Sequence, residues 1–377
     1  MKITLDRTPE QVELIKAMAS KNRDVAYEAQ TALAEFIGPV LAEVVNTAPT
    51  VSNMFTSLQF NSDESPSIPL DLYHDITDED YIQVWSQSVP GGLPTNQVAP
   101  SQSELKFTTY TLDSALSFDK RYASRSRLDV VSKTFTRMAQ EILLKQEKTS
   151  ASMIMTALAN ASTNGEDHIL RSAQANRFLL SDLNKLFTKA KRINTAWTGG
   201  TPADRRGRGI TDLLVSPEIV EEIRGLAYNP LNTEGTNTDI AGTDSMRDAI
   251  FNSAGIPEFY GVSIQEYNEM GVGQKWNTVF KSSADVADGG SPKDFAGHYT
   301  TSNPASAFTS AEEILVGVDL SRESMIRAVA TDSESGDEFA LVSDDQFVTR
   351  QSKIGYYGSL EEGRMIIDDR VLLGLIV

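Results

Sequence analysis

The sequence predicts an α+β protein built around one very long amphipathic helix. Three observations predict it. From Arg127 to Asn160, Leu128, Val131, Phe135, Met138 and Ile142 recur at alternating steps of three and four, and Met153, Ala157 and Leu158 resume an apolar side after a polar interval. Before this helix, Tyr81 to Phe118 reads as a long polar hairpin tipped by the turn formers Pro90-Gly91-Gly92-Leu93-Pro94-Thr95-Asn96. After it come a strand-helix unit, DLLVSPEIVEEIRG, and a C-terminal alternating strand, QFVTRQSKIGYYGSLEEGRMIIDD.

Taken in order, Thr8-Pro9-Glu10-Gln11 opens the first helix with a capping hydroxyl, a first-turn proline and an early carboxylate, and Val12, Ile15, Met18 and Ala19 form its apolar side. A second helix spans 27–45 with Ala32, Leu33, Phe36, Val40, Leu41 and Val44 at helical spacing, and Gly38-Pro39 is expected to kink or split it. These two read equally well as an N-terminal arm or as ordinary core helices. In the returning strand of the hairpin, Tyr110, Leu112, Leu116 and Phe118 share one side, broken only at Ser114. At ~1.5 Å per residue the long helix runs ~50 Å, the length of a whole domain.

Ser181 opens a shorter helix with Leu183, Leu186, Phe187, Ala190 and Ile193 inward and Lys189, Lys191 and Arg192 in its last turn, where the helix dipole favours cations. Ile210, Leu213, Leu214 and Val215 form a buried strand. Ser216-Pro217-Glu218 then caps a helix expected to stop at Gly225. Residues 228–248 and 281–310 are rich in Gly, Asn, Thr, Ser, Asp and Pro and read as long loops. Between them GIPEFYGVSIQEYNE is a turn and a strand, and EEILVGVDLSRESMIRAV is a further short strand and turn.

Composition narrows the function. The 377 residues contain no cysteine, which removes disulfides and thiolate metal sites and suits a reducing cytoplasm. No secretory signal opens the chain and no run approaches the ~20 apolar residues of a membrane span, so a soluble protein with no membrane partner is expected. The net charge of −18 opposes general affinity for nucleic acid, so any DNA contact is expected to be local. The charge is also segregated. From Asp63 to Leu105 there are eight carboxylates (Asp63, Glu64, Asp71, Asp75, Asp78, Glu79, Asp80, Glu104) and no Lys or Arg, while Lys120, Arg121, Arg125 and Arg127 follow at once. The acidic stretch reads as a solvated surface, or as an arm that pairs with the basic root of its own chain or of a neighbour. The solvated surface is the favoured reading, and of the two pairings that with a neighbour is preferred because a long isolated hairpin needs a partner to be ordered.

No pattern marks a catalytic centre. His74, His168 and His298 are scattered, without the spacing of a zinc site, and are expected in loops or at the surface. There is no GxxxxGK[ST], GxGxxG or GxSxG motif. The runs DITDED and DSESGDE lack the spacing and central Gly of a calcium loop. The basic group Lys189, Lys191, Arg192, Arg205, Arg206 and Arg208 reads as pairing between subunits ahead of phosphate binding. No catalytic residue, metal or cofactor is therefore expected.

The order of these parts resembles the major capsid proteins of tailed double-stranded DNA bacteriophages, the Hong Kong 97-type fold, over nearly the whole chain. On that resemblance 1–61 is an N-terminal arm, 62–120 the extended β-hairpin loop, and 121–208 the peripheral domain with its spine helix at 127–160. Residues 209–340 are then the axial domain and 341–377 the strands returning to the peripheral domain. The resemblance implies a non-enzymatic protein that forms pentamers and hexamers and closes into an icosahedral shell around packaged DNA. It also implies a virion location after assembly in host cytoplasm, with a portal and, for some members, a decoration protein. Some members crosslink through a lysine in the loop; here the tip has none and Lys106 lies on the returning strand, so no such link is expected. An arm of only about sixty residues implies a separate scaffolding protein. Trp85, Leu93, Lys120, Arg121, Arg125 and Arg127 are the expected contacts between subunits. Two other readings stay open: an encapsulin-like compartment shell and, from another class, an acidic cytoplasmic hydrolase using a carboxylate pair.

Overall fold

The computed structural model describes residues 8–47, 51–62, 65–69, 104–125, 127–163, 166–172, 174, 176–193, 209–228, 258–259, 261–287, 291–295, 306–322, 324–331, 338–344 and 353–377. The N-terminal third holds α1 (Pro9–Met18), α2 (Arg23–Thr47), β1 (Thr56–Asn61), β2 (Ser67–Pro69), β3 (Glu104–Lys106), β4 (Tyr110–Asp119) and α3 (Lys120–Ser124). Next come α4 (Leu128–Asn160), β5 (Ser162–Thr163), β6 (Glu166–Asp167), β7 (Ile169–Arg171), α5 (Leu180–Ile193), β8 (Asp212–Val215) and α6 (Pro217–Tyr228). The remainder comprises β9 (Glu258–Phe259), β10 (Val262–Glu266), α7 (Lys275–Ala287), β11 (Asp294–Phe295), β12 (Ser306–Ala307), β13 (Ile314–Val318), β14 (Met325–Thr331), β15 (Ala340–Asp344), β16 (Lys353–Ile366) and β17 (Leu372–Ile376).

Contacts divide the chain into two compact units. The first takes Met1–Ile68, Lys106–Ser150 and Met325–Met365, and the second Pro69–Leu105, Ala151–Ser324 and Ile366–Val377. The expected segment 209–340 is thus cut at Ser324, and the expected C-terminal segment 341–377 is cut at Met365.

In the first unit a five-stranded sheet runs β1-β14-β16-β15, with β4 also bonded to β16. β4 and β16 pair antiparallel over ten residues, from Lys353 opposite Asp119 to Glu362 opposite Tyr110. The strand expected to be the returning arm of a free hairpin is therefore an integral part of its own sheet, and residues 70–103, with the tip, lie outside the described residues. The alternation predicted for β4 holds: Thr111, Asp113, Ala115 and Ser117 are exposed and Phe118 is buried. One face of the sheet packs on helices, with Phe118, Phe135, Met138, Val329, Phe339, Ile354, Tyr356 and Leu360 in one core with Ile15, Leu33, Ile37 and Leu41. Gly358 lies on this inner face because any Cβ there would collide with Met138 and Phe339.

The helices form where capping and period predict. Thr8 Oγ1 accepts from Gln11 N at 3.3 Å to start α1. α2, however, runs unbroken through Pro39. Proline in a helix costs ~3 kcal/mol, but Leu33, Ala34, Ile37, Leu41 and Val45 on one stripe are buried, and tertiary packing of that stripe holds the helix together. α4 spans 33 residues without interruption at its polar interval, where Thr149 and Ser150 satisfy their hydroxyls on the carbonyls of Lys145 and Gln146 within the helix.

The second unit is organised by a six-stranded sheet ordered β7-β17-β13-β8-β10-β9. Its central strands, ILVGV, LLGLI and DLLV, are almost wholly buried, with Leu213, Leu315, Leu373 and Leu375 in a core shared with α5 and α6. β17 pairs antiparallel with β13 and parallel with β7. Of these partners β7 lies within 121–208, the segment expected to be the peripheral domain, and β13 within 209–340. An apolar run without alternation needs cover on both faces, which a central strand of a flanked sheet receives. EEILVGVDLSRESMIRAV is likewise two strands, β13 in this sheet and β14 in the five-stranded one, not a strand and a turn.

Two further expectations are corrected. α6 continues past Gly225 to Tyr228, its Ile219, Val220 and Ile223 anchored in the core. Lys275–Ala287 is helical, so the first seven residues of the 281–310 stretch expected to be a loop belong to a helix, because Trp276, Phe280 and Ala284 recur every four residues and are buried. Gly261 adopts φ +76° in the turn between β9 and β10, a conformation glycine supplies without strain. No helix among the described residues is long and apolar enough to cross a membrane.

Candidate assembly surface and its buried anchor

The expected contact residues that are described cluster at one corner, where β4 turns through α3 into α4. Asp119 caps α3, accepting from Arg121 N at 2.9 Å, and its carboxylate also meets Arg121 Nε at 3.4 Å. Ala123 is buried and holds the short helix down. Arg127 N bonds Tyr122 O at 3.0 Å, closing the turn before α4. The outward side chains are cationic: Arg121 is 81% exposed, Arg125 and Arg127 are exposed and Lys120 is half-buried. Tyr122 stands among them 46% exposed. Such a corner can choose the register of an acidic partner, since exposed pairs contribute little stability but much selectivity. Trp85 and Leu93 lie outside the described residues, as does most of the acidic stretch.

At the far end of the β4–β16 ladder from this corner, the first unit carries a buried ionic cluster that sequence reading missed. Glu362 Oε1 accepts from Tyr110 Oη at 2.8 Å and from Arg364 Nη1. Its Oε2 accepts from Gln146 Nε2 at 2.9 Å, Arg327 Nε at 3.0 Å and Arg364 Nη2 at 3.1 Å. Arg364 Nη2 also donates to Ser52 Oγ at 2.8 Å. The cluster ties β4, α4, β14 and β16 to the turn after α2. Burial would raise the Glu362 pKa, but the guanidinium groups of Arg364 and Arg327 outweigh it and hold the carboxyl below its usual range. The Tyr110 hydroxyl is pushed up to about 12, by burial first and by Glu362, against the pull of Arg364. A signal was present: Leu360, Glu362 and Arg364 share the inward parity of β16, so EEGR places charges where the alternation demands apolar residues.

In the second unit His168 occupies the bend between β6 and β7, one of the loop positions expected of the histidines, but not at the surface. It is fully buried, with Nδ1 at 3.1 Å from Asp369 O and 3.0 Å from Leu372 O, and Nε2 at 2.7 Å from Thr163 Oγ1. Two carbonyls at Nδ1 require the proton there, so Nε2 accepts from Thr163. Burial lowers its pKa, with Asp369 opposing and Lys189 assisting. Lys189 donates Nζ to Asp167 O instead of facing solvent, and its pKa is lowered by burial. Lys191 and Arg192 are exposed, whereas Arg205, Arg206, Arg208, His74 and His298 lie outside the described residues. Among the described residues no three His, Asp or Glu side chains are placed to share a metal ion.

No protein-family model matches the chain, and no curated protein matches it. Several solved structures are similar to the chain. They include the capsid of cyanophage P-SCSP1u (12% identity, TM-score 0.47, 85% of this chain and 86% of that one). A native GTA particle capsid matches at 10% identity and TM-score 0.48, over 88% and 91% of the two chains. The SrpI encapsulin complex of Synechococcus elongatus PCC 7942 matches at 9% and 0.45, over 86% and 85%. Identities this low, with scores below 0.5, leave the function to be read from this chain's own residues.

Proposed function

We propose that this chain is the major capsid protein of a tailed bacteriophage, a tile that assembles into pentamers and hexamers and closes an icosahedral shell around double-stranded DNA. The observation that carries the reading is charge segregation at the hairpin root. Eight carboxylates without a single Lys or Arg occupy 63–105, and a cationic corner of exposed Arg121, Arg125 and Arg127 with half-buried Lys120 follows. In a chain of net charge −18 such a corner is a specific receptor for acid, and the acidic segment of a neighbouring copy supplies it.

The long helix supports the same reading, because a beam of ~50 Å spans a tile and lets many modest seams add up through multivalency. Trp85 and Leu93 are proposed to sit in those seams on the hairpin. The role needs no catalytic group and no cofactor. Assembly in host cytoplasm, a separate scaffolding protein, a portal and a decoration protein belong to this proposal, and contact with DNA is confined to local patches of the inner surface.

The test is Arg121→Glu combined with Arg125→Glu. Electron micrographs of the expressed wild-type chain, with its assembly partners, are expected to show closed shells. The double variant is expected to yield few, and those are expected to dissociate at lower salt. Unchanged particle yield and salt tolerance would remove the corner from the seam. A wild-type chain that elutes as a monomer under every assembly condition would remove the shell reading itself.

A further inference from the structure

α2 is apolar on two sides. Its inner stripe of Ala26, Ala29, Leu33, Ala34, Ile37, Leu41 and Val45 is buried in the core. A second stripe faces solvent: Val25 (42% exposed), Ala32, Phe36 (56%), Pro39 and Val40 (38%). At 100° per residue these five fall within one sector of the helix, and along the axis they extend ~22 Å. The stripe runs into a groove of about 490 Å³ between α1 and α2, lined by Leu14, Ile15, Ala32, Leu33, Phe36 and Leu128. A helix apolar around most of its circumference is covered in its working state.

The rim says by what. Beyond Arg23, α2 carries no Lys or Arg; Asp24, Glu28 and Glu35 lie along one side of the stripe, and Glu43, about five turns from Val25, ends it. Glu10, across the groove on α1, adds a further carboxylate. Gln11, also lining the groove, has its side-chain oxygen shut off from water without a donor among the described residues. We infer that this face is the docking site for an amphipathic helix of a separate polypeptide, with Leu-type side chains on its inner face and Lys or Arg along both flanks. Anionic membrane surfaces are repelled by such a rim. A second copy is not favoured either. Among the described residues the other exposed large apolar side chains are Tyr27, Leu58, Tyr122, Leu144, Val272, Val286, Val342 and Tyr357; Tyr122 stands singly on the cationic corner, and none forms a helical stripe with a basic rim. Within the shell reading, on which this last step rests, the occupant is the scaffolding polypeptide, and its docking on α1 and α2 guides assembly.

The probe is a labelled synthetic helix of about 18 residues, with Leu at i, i+4, i+7 and i+11 and Lys on both flanks, together with a counterpart bearing Glu in place of Lys. Binding to the full-length chain is read by fluorescence anisotropy. The wild type is expected to bind the basic peptide and not the acidic one. Phe36→Ser with Val40→Ser is expected to weaken binding at least ~10-fold. Glu28→Lys with Glu35→Lys and Glu43→Lys is expected to reverse the preference, and it serves as the second variant should the first fail to fold by circular dichroism. Absence of binding, or binding indifferent to both variants, overturns the inference. So does a wild type that binds no peptide but forms oligomers that Phe36→Ser dissolves, since the stripe then belongs to a second copy. Micrographs of the same preparations separate the two readings. Shells without peptide binding remove the docking site alone, and peptide binding by a chain that never forms shells removes the shell alone.

Discussion

Replacing Glu362 by Gln changes one oxygen to an amide and removes one charge from the centre of the first unit. The native carboxylate accepts five hydrogen bonds, from Tyr110, Gln146, Arg327 and, twice, Arg364. Arg327 is 6% exposed and Arg364 fully buried, so neither guanidinium can turn to water for a substitute. Breaking a buried pair by deleting one partner costs about 3–5 kcal/mol, because the remaining charge stays buried. At a urea slope of about 3 kcal/mol/M the midpoint falls by roughly 1 to 1.7 M. The assay is urea unfolding of the unassembled chain, with hydrogen exchange of the β4 and β16 amides to localise the loss. The folded pKa of Glu362 lies below 4.5, its value in an unfolded chain, so its contribution is complete above that pH and is lost as pH falls through the folded value. Glu362→Gln is expected to lack this acid slope. The apolar replacement Glu362→Leu, Arg327→Met, Arg364→Met and Tyr110→Phe is expected to recover most of the stability, since it leaves no buried charge. A Glu362→Gln protein within about 1 kcal/mol of the wild type would refute the reasoning.

His168 carries a lowered folded pKa, so below its unfolded value of 6.5 the unfolded chain binds more protons and stability falls as pH drops. Melting between pH 5 and 8 is expected to show this slope, and His168→Phe is expected to flatten it; an unaltered slope would place the acid sensitivity elsewhere. Gly358→Val drives a side chain into Met138 and Phe339 and is expected to destabilise the first unit by at least about 2 kcal/mol. The companion Met138→Ala is expected to restore part of that loss, and a neutral Gly358→Val would mean that the inner face of β16 is loosely packed. Mature particles are expected to run as monomers on a denaturing gel, because no lysine lies in the hairpin tip; ladders alone would contradict this.

Legibility followed the range of the interactions. α4 could be read within a residue of its start because a 3.6-residue apolar period marks Leu128 to Ile142 and resumes from Met153 to Leu158. The cap at Thr8 and the Ser216-Pro217 entry to α6 were equally visible, since the bonds they make span three residues. α7 was hidden by its Ser and Asp content, although Trp276, Phe280 and Ala284 kept the period. The candidate surface was partly legible. Charge runs along the chain exposed the cationic corner, while the outward stripe of α2 looked like more of the same apolar helix. Only burial separates Leu33 and Ile37, in the core, from Phe36 and Val40, in solvent.

Sequence alone determined the local elements and the sign of the charge along the chain, because helix period, capping and charge are properties of neighbours within a few residues. Tertiary structure decided which sheet each strand entered. β13 and β14, a few residues apart, joined different sheets, and β17 took a central place beside β13 and β7. It also decided that Tyr110, Gln146, Arg327, Glu362 and Arg364 would meet around one carboxylate. Such pairings are set by which face finds cover and which charge finds a partner across hundreds of residues, and no window of neighbouring residues contains that information.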